Sequence, residues 1–516
     1  MGFLGLAVGM MLPWLLGLVW LRVLWRERDV RAWPVWLGYG YVLGTLVTTL
    51  VMRLLDVLGI TFSFVSISLP LLGITIAGAL LYIKTSAHNR TLINDIHSDI
   101  NTAALVAPSP LTGEGWDGGE KTMHHALTHP HPCPPPSRGR AVLSKSYDVV
   151  YNWRNQLRWQ QTLFIFLFAI IILRFAGLGL EIIWRPLFAW DAWNQWATKA
   201  RVWYELGRLV PFVPADIWLS SGATQAYTDS APHYPATIPL LQVWMSYSLG
   251  RWDDSLMNLP WLQCGIALGL AFYGQARLWS VSPLLAMIFT YFLLSLPLLD
   301  THIALAGYAD LFMATVYGLA AMAFFHWART RDHRQGLLAF LLILSCSLIK
   351  IPGQIWMLTF LPALWVALMP RTGMIGMAVL AVLGAAALFL LDRTQLVILG
   401  YTLHTEFSPV GEPILKNVFV MDNWHMFWYL FIALWLFALT RLFSAPLRVM
   451  TILVLTDFYF LAIVFFFSKA HVWVADFSTL NRALLHIVPM LMFYMMVLYR
   501  EGIVWPRWLA GHRAPT

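Results

Sequence analysis

The sequence predicts an all-α, polytopic membrane protein with about 13 transmembrane helices and an interfacial helix in a long outer loop. Three observations lead there. Of 516 residues, 59% are hydrophobic and only 12% charged, with 27 Trp and 31 Phe, a balance that suits lipid rather than water as the solvent. Apolar runs recur along the whole chain, each near the roughly 20 residues that a helix needs to cross a hydrocarbon core. Lys and Arg gather at the ends of those runs, so the formal charge of +8 reads as membrane orientation and not as a nucleic-acid surface.

The first run is followed, not preceded, by Arg22, Arg26, Arg28 and Arg31, which favours an uncleaved first helix with its N-terminus outside. Spans are expected at 3–24, 33–54, 63–84 and 161–184, then at 258–277, 281–299 and 303–327. Six more follow at 336–349, 352–369, 373–391, 422–441, 447–466 and 484–499. Lys350-Ile351-Pro352-Gly353 separates two of these, and the first is short, so a broken hairpin and two full crossings both fit. Basic residues at 22–31, in 84–160, at Arg329, Arg331, Arg334, Arg371, Arg441 and Arg448, and from Arg500 onward fall on one side, taken as cytoplasmic. That assignment closes if 237–250 is a partial or interfacial helix. It leaves 185–236, 300–310, 392–421 and 467–482 outside.

The chain therefore divides into an N-terminal three-helix region (1–84), a cytoplasmic loop (85–160), a large transmembrane region (161–500) and a cytoplasmic tail (501–516). Within the loop, 106–140 is a low-complexity insert rich in Pro, Gly and His, a composition that cannot bury a core and reads as disorder. Its His124, His125, His129, His131 and Cys133 match no metal-finger spacing. Cys264 and Cys346 lie inside apolar runs, so no disulfide framework is expected.

The outer loop at 185–236 is the most informative segment. From Asp191 onward, Trp193, Trp196, Ala200 and Trp203 fall at helical spacing on one face, with Asn194, Gln195, Thr198, Lys199 and Arg201 elsewhere. Such a helix suits the membrane interface, where indole rings are favoured. Asp191 opens it, either as an N-cap or as a general base that removes a proton from an acceptor hydroxyl; a cap also fixes a carboxylate in place, so the two roles are compatible. Asp310 is a loop or capping carboxylate, or a second acidic group of a site. Lys350 and Arg482 stand at span boundaries, where a cation either snorkels to the interface or faces a cavity and meets an anion. His233 is a hydrogen-bonded loop residue or orients an acceptor. Arg174 and Glu181, seven residues apart on one face, are expected to pair within the bundle. His302, His404, His471 and His486 form no metal-site spacing. Phosphate-loop, H-E-x-x-H and G-x-S-x-G motifs are absent, which removes support for cytoplasmic nucleotide-sugar and hydrolase chemistry.

Several short pieces, in this order, carry a resemblance: Trp190-Asp191-Ala192-Trp193, His233-Tyr234-Pro235 with Pro239-Leu240, Gly307-Tyr308-Ala309-Asp310, Ser347 to Gly353, and Asn481 to Pro489. Over about 161–500 the arrangement resembles the C-type (GT-C) polyprenyl-phosphate-sugar glycosyltransferases. It departs from them at Ile351-Pro352, where an acidic or polar residue usually follows the lysine, at Ala236, where a second proline is usual, and in the additional N-terminal helices.

The resemblance implies a GT-C-like fold and an inverting glycosyltransferase in a bacterial inner membrane, with its active site facing outward. The donor would be a polyprenyl-phosphate sugar, and the acceptor a glycan, lipid or protein group. Asp191 and Asp310 would be catalytic, and His233, Tyr234, Lys350 and Arg482 would bind substrate. No metal ligands are assigned, although a divalent metal at the second carboxylate is compatible with the family. Membrane lipids are the other expected partners; nucleic acid is not. Two alternatives stand beside this reading. An O-antigen polymerase or ligase would rely on outer-loop arginines, and a transporter or flippase would carry paired inverted repeats, of which the sequence has no convincing example.

Overall fold

The computed structural model describes residues 2–25, 32–105, 156–221, 226–390, 395–398, 401–404 and 407–502. The insert at 106–140, with its histidines and Cys133, lies outside them. The described chain is a helical bundle with two small two-stranded ribbons. One is parallel, β1 (Phe212–Val213) with β2 (Tyr227–Thr228), and one is antiparallel, β3 (Gln395–Ile398) with β4 (Tyr401–His404). The first four helices are α1 (Gly2–Leu24), α2 (Trp33–Val57), α3 (Phe64–Leu105) and α4 (Arg158–Trp184). The loop that follows holds α5 (Thr198–Leu206) and α6 (Ala215–Ser221) and leads into α7 (Thr237–Leu249) and α8 (Leu259–Leu278). Next come α9 (Pro283–Leu294), α10 (Pro297–Ala304), α11 (Asp310–Thr330), α12 (His333–Ser345), α13 (Gly353–Leu358), α14 (Phe360–Leu368) and α15 (Pro370–Leu390). The last are α16 (Gly411–Leu415), α17 (Phe427–Phe437), α18 (Arg448–Phe466), α19 (His471–Ala475) and α20 (Leu480–Val497).

Among the described residues nine helices are long and apolar enough to cross a membrane, and a multi-pass membrane protein follows. The pair α9 and α10 makes a tenth span when taken together, bent by 63°. The bend sits at Pro297, which has no N–H to continue the α9 ladder. The expectation of about 13 crossings is not met, because His333–Leu348, Gly353–Leu368 and Phe427–Phe437 are each too short to span alone. At Lys350, then, two short apolar helices meet instead of two full crossings. Gly353 is required at this turn, since a Cβ there would run into the Cys346 carbonyl.

Three further expectations change. First, the segment 237–250, expected as a partial or interfacial helix, is a partial one of 13 residues that lies in the protein interior: every residue of α7 from Thr237 to Ser246 is buried, enclosed by α1, α2, α3 and α5. Second, the aromatic helix after Asp191 begins as a π-helical turn, Ala192–Ala197, before continuing as α5. Trp196, Ala200 and Trp203 are buried as the spacing requires, but the wider π turn moves Trp193 off that face, where it packs edge-on to Trp190 at 5.0 Å. Gln195 and Lys199, expected on the polar side, are buried as well. The indole stripe is thus a core face packed on α7, not a surface left for lipid. Third, Arg174 pairs with Asp300 of α10, and Glu181 pairs instead with Arg185 at 2.5 Å.

The interior is built around α11 and α20, which pack along each other, with α2 and α8 behind α11. At one end of this core Arg329, at the close of α11, meets Glu501 just beyond α20 at 2.7 Å. The opposite end carries Asp310, the first residue of α11, and Arg482, near the start of α20.

Candidate functional site

At that opposite end, side chains from two other segments, the turn at Lys350 and the start of α20, converge on the carboxylate of Asp310. The side chain is fully buried and opens α11, where the N-terminal helix dipole favours negative charge. Its Oδ1 accepts a hydrogen bond from Lys350 Nζ at 2.6 Å and lies 2.9 Å from His486 Nε2. Its Oδ2 accepts from Arg482 Nε at 3.0 Å and from Arg482 Nη2 at 2.8 Å. Four donors saturate a carboxylate. The proton on His486 can be placed by elimination. Trp356 Nε1, which can only donate, is 3.0 Å from His486 Nδ1, so Nδ1 is the acceptor and Nε2 carries the hydrogen given to Asp310.

Arg482 is shared. Its Nη2 also reaches Asp191 Oδ2 at 2.6 Å, so its two protons are divided between the two carboxylates. The guanidinium carbon lies 4.7 Å from the centre of the Tyr308 ring, a cation–π contact that holds it from the other side. Tyr308 is fixed in turn by Trp261 Nε1, which donates to its carbonyl at 2.7 Å. It follows Gly307, whose φ of +113° is open to glycine, and a side chain at Gly307 would collide with Ala192 beside Asp191. Burial raises the Tyr308 phenol above its ordinary value while the Arg482 charge opposes that rise. Asp191 is partly exposed at 28% and makes no cap hydrogen bond; its carboxylate pairs with Arg482.

Of the residues singled out in the sequence, Asp191, Asp310, Lys350 and Arg482 stand in one cluster. Tyr234 borders it. Its ring packs edge-on to Trp196 at 5.3 Å, and its phenol is raised by burial and by the Asp310 charge, with Arg482 opposing. His233 is exposed and makes no hydrogen bond or ion pair with the cluster among the described residues. Among the described residues no group of three or more His, Cys, Asp or Glu could hold a metal ion. The donor set also fits one poorly, because the lone pairs of Asp310 are already occupied.

Four contributors escaped the sequence reading. His486 had a legible signal, lying four residues after Arg482 and hence on the same face of α20. Tyr308 sits inside a recognised motif but has no charge to draw notice. Lys199 is 1% exposed, pairs with Asp229 at 3.1 Å and donates to the Ala231 carbonyl at 2.7 Å, clamping the turn that delivers Tyr234. Burial lowers its ammonium below the ordinary lysine value, with Asp229 pulling the other way. His302 of α10 is buried with its ring 5.5 Å from that of Tyr308; Nδ1 donates to the Leu298 carbonyl at 2.9 Å, and Nε2 is buried without a partner among the described residues. No family model, curated protein or solved structure matches this chain.

Proposed function

We propose that the chain is an inverting membrane glycosyltransferase of the GT-C type, moving a sugar from a polyprenyl-phosphate carrier to a glycan, lipid or protein acceptor on the outer face of a bacterial inner membrane. The observation that carries this reading is the meeting of two carboxylates and two cations, Asp191, Asp310, Lys350 and Arg482, at one end of an apolar bundle. Asp191, with one carboxylate oxygen tied to Arg482 and the side chain partly exposed, is the base. It takes the proton of the acceptor hydroxyl as that oxygen attacks the anomeric carbon, while the bond from that carbon to the phosphate oxygen breaks and polyprenyl phosphate leaves. Lys350 and Arg482 face the developing phosphate charge. Asp310, saturated by its four donors, sets the position of both cations and is not a second base. Because Arg482 is shared with Asp191, the donor phosphate competes with that carboxylate, so donor binding frees the base for the acceptor.

A groove of about 550 Å³ supports a lipid-borne donor. Its lining runs from Trp327 and His333, at the end of the bundle away from Asp310, along the pair of short helices to Leu344 and Met357, on either side of the turn that presents Lys350. The decisive experiment is transfer from polyprenyl-phosphate sugars by purified protein, comparing wild type with Asp191→Asn. General-base removal costs about 10²–10⁴ in rate. The variant should stay folded and bind bare polyprenyl phosphate at least as well as wild type while losing transfer. Retained transfer would remove Asp191 from the mechanism.

One observation favours a second reading. Asp457 of α18 is fully buried in a span, with Tyr317 donating to its Oδ1 at 2.6 Å and Oδ2 left without a partner among the described residues, a placement common in proton- or ion-coupled transporters. Substrate flux in proteoliposomes that Asp457→Asn abolishes, without any sugar transfer by wild type, would select it.

A further inference from the structure

Among the described residues at the site end of the bundle, Arg53 stands out as a partly buried cation without a carboxylate partner. Lys350 and Arg482 are neutralised by Asp310 and Asp191, and Lys199 by Asp229. Arg53, near the C-terminal end of α2, has no carboxylate partner among the described residues. Its Nη2 donates to Thr237 Oγ1 at 3.1 Å, and its Nε is buried without an acceptor. The nearest acid in sequence, Asp56, is engaged elsewhere, accepting from the Leu209 backbone at 2.8 Å. A guanidinium at a span end ordinarily snorkels into water. This one is turned inward onto a residue of the buried helix α7.

The position of that contact is informative. Thr237 begins α7, three residues after Tyr234, and its hydroxyl donates to the Leu348 carbonyl at 2.5 Å, two residues before Lys350. Arg53 is therefore tied through one hydroxyl to both segments that frame the Asp310–Arg482 cluster. The first turn of α7 has no side-chain cap, so its positive end faces the same place. A partly desolvated guanidinium without an anion is costly, and the N–H donors that Thr237 leaves open beside a helix N-terminus suit a phosphate group.

We infer that Arg53 and the start of α7 form an anion subsite for the phosphate of the lipid carrier, contributed by the N-terminal three-helix region to the site in the rest of the chain. This rests on the glycosyltransferase reading for the identity of the ligand. The subsite receives the carrier phosphate at the rim before it reaches Lys350 and Arg482.

The test is binding of polyprenyl phosphate to full-length protein in nanodiscs, for wild type, Arg53→Gln, Arg53→Lys and, as control, the exposed outer-loop change Arg208→Gln. Loss of a charge-assisted phosphate contact should weaken binding about tenfold in Arg53→Gln, with Arg53→Lys between it and wild type and Arg208→Gln unchanged. Thermal stability without ligand should be equal or higher in Arg53→Gln, since an uncompensated charge has been removed. Wild-type affinity in Arg53→Gln overturns the inference, as does a large loss of stability in both Arg53 variants, which would make the residue structural. An equal loss of binding to phosphatidylglycerol overturns the assignment to the carrier. Inorganic phosphate separates the two claims: if wild type binds it through Arg53 but ignores polyprenyl phosphate, the anion subsite stands and the glycosyltransferase reading falls.

Discussion

Replacing Asp310 with Asn removes the one charge on which Lys350, His486 and Arg482 converge. The amide keeps an oxygen for one side of the cluster but turns an NH2 toward the other, so at least two charge-assisted hydrogen bonds are lost, each contributing about 1.5–3 kcal/mol. Removing one partner of a buried ion pair costs about 3–5 kcal/mol, because the remaining charge is stranded. Lys350 is such a stranded charge, its side chain only 10% exposed. Arg482, at 23% exposed, keeps Asp191 and loses less. The net expectation is a destabilisation of about 3–4 kcal/mol. Denaturant titration in micelles, followed by tryptophan fluorescence, measures it. Adding Lys350→Met to Asp310→Asn should recover about 1–2 kcal/mol, because the unpaired ammonium is removed with its partner already gone. An Asp310→Asn midpoint within about 0.5 kcal/mol of wild type would refute the saturated-carboxylate argument, and strict additivity of the two changes would refute the coupling.

Three other outcomes follow from the same geometry. His302→Phe should leave stability within about 1 kcal/mol of wild type or raise it, since it removes a buried nitrogen without a partner; a loss of more than about 2 kcal/mol in thermal unfolding would mean that nitrogen is satisfied. Leu344→Trp should fill the groove beside the Lys350 turn and weaken binding of long-chain carriers more than short-chain ones, and equal effects on both chain lengths would detach the groove from the donor. Reporter fusions after Arg140 and at Tyr227 should give opposite signals, as the Lys and Arg distribution requires; the same sign at both would overturn the outward placement of Asp191.

What could be read from the chain alone was local. Apolar length and the placement of Lys and Arg are properties of consecutive residues, so the helical membrane class followed directly, and most expected spans correspond to helices. The spacing of Trp196, Ala200 and Trp203 likewise announced a buried face. Side-chain chemistry at span boundaries singled out Asp191, Asp310, Lys350 and Arg482 before any contact was known.

Only the tertiary structure decided who pairs with whom. Arg174 had Glu181 on its own helix face yet meets Asp300, because a kink at Pro297 swings α10 against α4. Trp193 left its stripe because a π turn changes the angle between successive side chains, a change no residue in that stretch announces. Lys199 is buried because Asp229, thirty residues away, folds back over it. Nothing in the sequence neighbouring Lys350 or Arg482 keeps either side chain out of water. An ion pair depends on separation in space, and the 2.6 and 2.8 Å contacts that join them to Asp310 exist only because the starts of α11 and α20 and the α12–α13 turn lie at the same end of one bundle.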